Sequence, residues 1–266
     1  MRLYIEFIKN ALLVNSTYRL NLFLRLFNRI IGLFISVSIW RALYGGTSET
    51  MSTMGSVSIK DMIMYSIISS AISVFISNNV IASMNDKIKS GQIALDLLKP
   101  INYKVWQFCN VVGRNISSVL LELVPVLIIG GLVFSFQIPT VINFIFFLIA
   151  LLNGVIINFL ITYILGILGF WYLEVWHFDR LLQDLVRLFS GAWIPLWFFP
   201  KVLVNISNYL PFKFIYFAPT TIYLSKVSYN EALIIILQQF IWIIGLLLIE
   251  KILWRKGIKK LVIQGG

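Results

Sequence analysis

The sequence predicts an all-α integral membrane protein of six transmembrane helices. An interfacial helix precedes the first span, a polar helical loop joins the second and third, and an outer re-entrant hairpin joins the fifth and sixth. Three observations predict this class. Of 266 residues, 59% are apolar and only 12% charged, and the mean hydropathy of +0.88 is far from that of a soluble globular domain. Apolar runs recur along the whole chain, most of them reaching the roughly 20 residues needed to cross a bilayer. The 22 lysines and arginines lie beside those runs and form no separate basic domain. The net charge of +11 therefore reads as positive-inside topology and not as nucleic-acid binding.

Taken in order, residues 1–19 set Leu3, Ile5, Phe7, Ile8, Leu12 and Leu13 against Arg2, Glu6, Lys9, Asn10 and Arg19. That pattern suits a helix lying in the inner membrane interface. No small-residue cleavage site follows, so no removable signal peptide is expected. The first span is expected over 20–43, with Arg25 and Arg29 one turn apart near its start. They either snorkel to the inner headgroups or form a buried functional pair. Gly45 and Gly46 open an outer loop rich in Ser, Thr and Gly.

The second span, 59–81, carries Ser66, Ser70, Ser73 and Ser77 at spacings of four, three and four, on one helical face. Such a stripe is either a helix-packing seam or the polar lining of a substrate path. The loop 84–104 is the one long polar interruption in the first two-thirds of the chain. Asp86–Leu98 reads as a short amphipathic helix, with Ile88, Leu95 and Leu98 near one face and Lys87, Lys89 and Asp96 off it. Lys99-Pro100 stops it, because proline removes a donor and biases the preceding residue away from helix. Such a helix lies on lipid or docks in a groove of a soluble partner.

The third span, 105–136, places Arg114, Ser118 and Glu122 on one face. Glu122 then sits inside the membrane, where a carboxylate is either neutral or partnered from another helix, and Pro125 frees a backbone carbonyl close by. The fourth span, 141–171, is longer than a crossing requires, so tilt or a bend near Gly166 and Gly169 is expected. Its Asn143, Asn153 and Asn158 read as interhelical hydrogen-bonding groups. The charges of 174–187 mark a return to the inner side. The fifth span, 188–204, contains SGAWIPLWFFP, in which Pro195 and Pro200 interrupt the helix and Trp193 and Trp197 mark an interface. Residues 205–230 hold prolines and lysines and no long apolar run, hence the re-entrant hairpin. The sixth span, 231–253, delivers a basic tail suited to the inner surface. With both termini inside, only Arg41, Lys60, Lys201, Lys213 and Lys226 fall on or near the outer side; the opposite orientation inverts the ratio.

Catalytic chemistry is missing. The chain has no GxxxxGK[ST] loop, no HExxH, no GxSxG elbow and no Cys/His cluster with metal spacing. Its one cysteine, Cys109, and one histidine, His177, read as packing and interfacial residues. No metal and no cofactor bound by this chain is expected.

The loop sequence IKSGQIALDLLKP, with Ile88, Gly91, Leu98, Lys99 and Pro100 as landmarks, resembles the ABC-2 type permeases, the membrane subunits of a class of ABC exporters. SGAWIPLWFFP, with Gly191, Pro195 and Pro200, the proline-containing hairpin and the basic tail also look like this family, so the resemblance covers nearly the whole chain as a single domain, 1–266. The resemblance implies six spans, a second permease copy, identical or homologous, and two copies of a separate ATPase subunit that binds ATP and Mg. It makes 86–98 a cytoplasmic coupling helix, with Asp86, Lys87, Ile88, Gly91, Leu95, Leu98, Lys99 and Pro100 facing the ATPase. It places a translocation path for a hydrophobic or amphipathic substrate near Ser66, Ser70, Ser73, Ser77, Trp193 and Trp197. The expected location is the bacterial cytoplasmic membrane. Two other classes stay open: a gradient-driven carrier centred on Glu122 and Arg114, and a non-transporting immunity or assembly protein.

Overall fold

The computed structural model describes residues 2–17, 19–46, 49–52, 55–134, 136–172 and 174–264. Its elements are α1 (Arg2–Thr17), α2 (Arg19–Tyr44), β1 (Glu49–Ser52), β2 (Gly55–Ser58), α3 (Ile59–Ile76), α4 (Val80–Lys89), α5 (Gln92–Leu97) and α6 (Tyr103–Ser118). They continue as a π-helical turn (Val119–Leu123), α7 (Val124–Val133), α8 (Val141–Ile167), α9 (Trp176–Phe189), α10 (Lys201–Asn208), α11 (Phe217–Tyr223) and α12 (Tyr229–Gln264). β1 and β2 pair antiparallel, Glu49 opposite Ser58, in a small hairpin between α2 and α3. Tyr44 ties this hairpin to α2 by donating its hydroxyl to the Val57 carbonyl at 2.9 Å.

Among the described residues, five helical stretches are long and apolar enough to cross a membrane: Phe23–Tyr44, Ile59–Lys89, Tyr103–Gly131, Val141–Phe170 and Tyr229–Lys260. They overlap the first, second, third, fourth and sixth expected spans. The fifth, 188–204, is not one helix. The chain leaves α9 at Ser190, turns through Gly191 at φ +77°, makes a 3₁₀ turn at Leu196–Phe198 and restarts at Lys201. Pro195 and Pro200 cannot donate backbone hydrogen bonds, and the left-handed glycine between α9 and Pro195 redirects the chain. The expected hairpin region 205–230 turns at Pro211–Phe214 beside the middle of α8, where a Cβ on Gly154 would lie 2.9 Å from the Phe214 carbonyl oxygen. Gln239 of α12 donates to that same carbonyl at 3.2 Å. From there α11 runs back along α8.

The expected single helix 86–98 is two helices. Ser90 caps α4, and Gly91 at φ +72° starts α5 in a new direction. A left-handed residue cannot continue a right-handed helix, so the Ser-Gly pair makes a corner instead of a weak point. The second expected span also breaks, between Ile76 and Val80. Carbonyls freed there are taken across helices: Asn158 of α8 donates to the Ile76 carbonyl at 2.9 Å and Asn115 of α6 to that of Phe75 at 2.5 Å. Asn143 donates to Ser225 and Asn153 to Gln239, so all three asparagines of α8 bond to other elements, as read from the sequence. α1 packs lengthwise on α6: Phe7 meets Trp106 edge-on, and Gly113 leaves no room for a Cβ beside the Ile8 carbonyl and Ala11. The side chains of Arg2, Leu3, Leu12 and Arg19 in the expected interfacial pattern lie outside the described residues.

The two corner glycines predict different costs. Gly91→Ala meets open space and is expected to lose about 1–2 kcal/mol from left-handed strain alone. Gly191→Ala adds contacts at 2.8 Å to the Tyr65 hydroxyl and 3.0 Å to Phe217, for about 1–3 kcal/mol more. Unfolding of both variants in detergent checks the order; equal losses would contradict the packing described at Gly191.

Candidate functional site

Two features stand out. The first is a cavity of about 1070 Å³ bounded by α2, α3, the segment 192–198 and Tyr216. Ser66, Ser70 and Ser73 line it, as the serine stripe allowed, together with Trp193. Ser77 lies past the end of α3 and is exposed, and Trp197 is buried against Tyr65 and Phe217, so neither lines the cavity. The stripe also serves as a seam, because Ser36 of α2 and Ser66 of α3 share a hydrogen bond at 2.9 Å. Ser66, Ser70 and Ser73 thus face the cavity, and Ser66 also joins the contact between α2 and α3.

At one end of the cavity lies the ion cluster. Glu122, 1% exposed, sits on the π-helical turn between α6 and α7. Pro125 cannot donate to the carbonyl four residues back, and the Val124 amide bonds the Val119 carbonyl five back. The widened turn carries Glu122 toward α2. There Arg29 approaches it at 3.0 Å and Arg25 at 3.3 Å. Arg29 also donates to the Ser70 carbonyl at 3.1 Å and to the Ser73 hydroxyl. Both arginines reach Glu122, Arg29 from a mostly buried position and Arg25 with its side chain 46% exposed. Arg114, expected to share the Glu122 face, instead hydrogen-bonds Asn79 at the start of α4. The sequence signal for the cluster was present: two arginines one turn apart on one helix, and one carboxylate on another.

The second feature is the corner between α4 and α5. Asp96, 5% exposed, binds Lys87 and Lys99, each at 2.6 Å. Lys87 also lies 4.0 Å above the centre of the Trp106 ring, a cation–π contact. Lys87 was expected to face a partner; it is turned inward, bracing α5 against α4 and α6. Ile88 likewise points inward, against Gly169 at the end of α8. Leu95 and Leu98 are 65% and 81% exposed, and Asp86, Gly91, Lys99 and Pro100 are also at the surface. The corner is thus a polar brace that presents two leucines.

Burial alone would raise the Asp96 pKa, but hydrogen bonds and charge from Lys87 and Lys99 outweigh it and hold the carboxyl below the usual carboxylate range. Among the described residues, no group of three or more His, Cys, Asp or Glu could hold a metal ion.

Comparison with protein families gives a match to the family described as ABC-2 family transporter protein, over residues 17–265. No curated protein and no solved structure matches the chain.

Removing the shared carboxylate by Glu122→Ala takes the counter-charge from the mostly buried Arg29, while Arg25 stays half-exposed, and is expected to cost about 3 kcal/mol, read as a loss of unfolding resistance in detergent. A cost below about 1 kcal/mol, the level of an exposed pair, would contradict the buried cluster. The brace at Asp96 has a defined pH sign. A depressed folded pKa contributes stability above the unfolded value of about 3.9, lost as pH falls through the lower folded value. Hydrogen-exchange protection of 86–100 is therefore expected to hold from neutral pH to about 4 and to fail only in stronger acid, whereas Asp96→Asn loses it at pH 7.

Proposed function

Because the chain belongs to the ABC-2 transporter family, a family of membrane components, we propose that it is the permease subunit of an ATP-driven exporter working with a separate ATPase. The observation that carries this reading is the braced corner of α4 and α5, with Leu95 and Leu98 exposed on a rigid support. Exposed leucines on a short helix suit insertion into a groove of a soluble subunit. On this reading nucleotide binding falls to that subunit, in keeping with the lack of a GxxxxGK[ST] sequence here. The positive-inside count supports an orientation with this corner and both termini in the cytoplasm. In this orientation 205–230 would form a hairpin re-entering from the outer side, its turn covered by α8 and α12.

Force delivered to Leu95 and Leu98 passes through the Asp96 brace into α4. From there it reaches α3 and α8, whose shifts open or close the cavity beside α2. This is rigid-body transmission between packed helices. The cavity lies along α2 and α3, where a second permease copy would complete a path between two halves. The carrier reading finds less support, because both oxygens of Glu122 are occupied by arginines.

A tagged chain isolated in mild detergent is expected to bring down a stoichiometric soluble ATPase with measurable ATP hydrolysis. Leu95→Asp with Leu98→Asp is expected to abolish this association while leaving the unfolding profile within about 0.5 kcal/mol of the parent, as for surface substitutions generally. Isolation of the chain alone, without hydrolysis, would sink the reading.

A further inference from the structure

The large cavity is chemically two-ended. Toward one end of α2 it is lined by Arg25, Asn28 and Arg29; toward the other by Ile35, Ile39, Trp40 and Leu43, with Phe198 alongside. From Arg29 to Leu43 along α2 the distance is about 21 Å at 1.5 Å per residue. No aspartate or glutamate is among the described lining residues.

The charge at the polar end does not balance. In residues 7–48 and 97–173 Glu122 is the one acidic residue. Arg25 and Arg29 share that carboxylate, leaving a formal charge of +1 for the three groups. Arg114 lies near enough to Arg25 for their charges to interact, which adds to the excess. Excess charge among apolar helices is expensive, and an anion at this end would offset it. A guanidinium is also the side chain best shaped to bind a phosphate or carboxylate through paired hydrogen bonds. The Arg25 side chain, 46% exposed although it reaches Glu122, keeps surface available to such a group.

We propose that this cavity binds an anionic amphiphile, with a phosphate or carboxylate headgroup at Arg25, Asn28 and Arg29 and an apolar tail along Ile35, Ile39 and Trp40. That this ligand is the exported cargo rests on the permease reading; the binding itself does not. Glu122 then has a second role, as the intramolecular anion that occupies the arginines when the cavity is empty and competes with the headgroup. Its removal and that of Arg25 should therefore act in opposite directions.

The experiment is equilibrium binding of dodecyl phosphate to the purified full chain in phosphatidylcholine nanodiscs, against dodecyl maltoside and dodecyltrimethylammonium. Dodecyl phosphate is expected to bind saturably and at least about tenfold more tightly than either control, a difference of about 1.4 kcal/mol. Arg25→Gln is expected to erase that preference, and Glu122→Gln to increase it. Should Glu122→Gln fail to fold, Ile39→Asp in the tail region serves instead, expected to weaken dodecyl phosphate about tenfold or more. Nanodiscs containing phosphatidylglycerol separate the sources of the ligand: a right-shifted dodecyl phosphate curve means that a membrane lipid takes the site, an unshifted one that a separate amphiphile does. Equal affinity for phosphate and ammonium amphiphiles, or a preference that survives Arg25→Gln, overturns the proposal. Since no ATPase is needed, absent binding alongside a co-isolated ATPase discards the ligand class alone, and binding without any ATPase discards the permease reading alone.

Discussion

A carboxylate as buried as Glu122 has to be paired where it sits, and the pairing fixes which helices are neighbours. Glu122 belongs to the π-helical turn after α6, and both its arginines belong to α2. Arg29 also reaches the Ser70 carbonyl and the Ser73 hydroxyl of α3. One side chain therefore gathers three helices. Apolar side chains cannot do this among apolar neighbours, because in lipid there is little hydrophobic gain in exchanging one hydrocarbon contact for another. Directional polar contacts decide the arrangement, and the cavity beside α2 takes its shape from them.

The same constraint governs the irregular backbone. Each break in a helix frees carbonyls, and a segment away from water must find donors for them. The break between α3 and α4 draws Asn115 and Asn158 to it. The turn at Pro211–Phe214 draws Gln239, whose amide nitrogen lies within hydrogen-bonding distance of the Phe214 and Ala150 carbonyls. These amides sit on three different helices, so breaks and donors act as matched pairs that hold the bundle in register.

This matching explains what could be read from the sequence and what could not. Long apolar runs carry their own signal, so five of the expected spans coincide with long helices. The asparagines of α8 were legible as interhelical groups because an amide in an apolar run needs a partner. Which partner each takes depends on helix contacts distant in sequence, and spacing does not encode those. The region 188–204 had the length of a crossing, but its glycine and prolines outweighed its hydropathy. At the corner 86–98 the amphipathic pattern hid a fold-back. Lys87 and Asp96 look like solvent-facing charges on a single helix, and become an internal pair only once Gly91 turns the chain. Arg25 and Arg29 were ambiguous because a position one or two turns from a helix end allows either snorkelling or burial. Both reach Glu122, but Arg29 does so mostly buried and Arg25 half-exposed.

The corner and the cavity are connected by close contacts that leave little slack. α4 rests on α8 where Met84 fills the space beside Gly166 and Ile88 the space beside Gly169; a Cβ at either glycine would lie within 3.0 Å of those side chains. Packed surfaces of this kind transmit displacement because they do not compress. A push on α5 cannot be absorbed at its joint with α4, which Lys87 and Asp96 hold closed, nor at the contact of α4 with α8. On the proposed permease reading it would be relieved where the chain is already broken, at 77–79, between α3 and α4. Arg114 of α6 hydrogen-bonds Asn79 in that same break, and Glu122 follows two turns later on the same helix axis. The break and the shared carboxylate are thus joined through α6. On the proposed permease reading, the grip of Glu122 on Arg25 and Arg29, and with it the charge presented to the cavity, would depend on the position of α5.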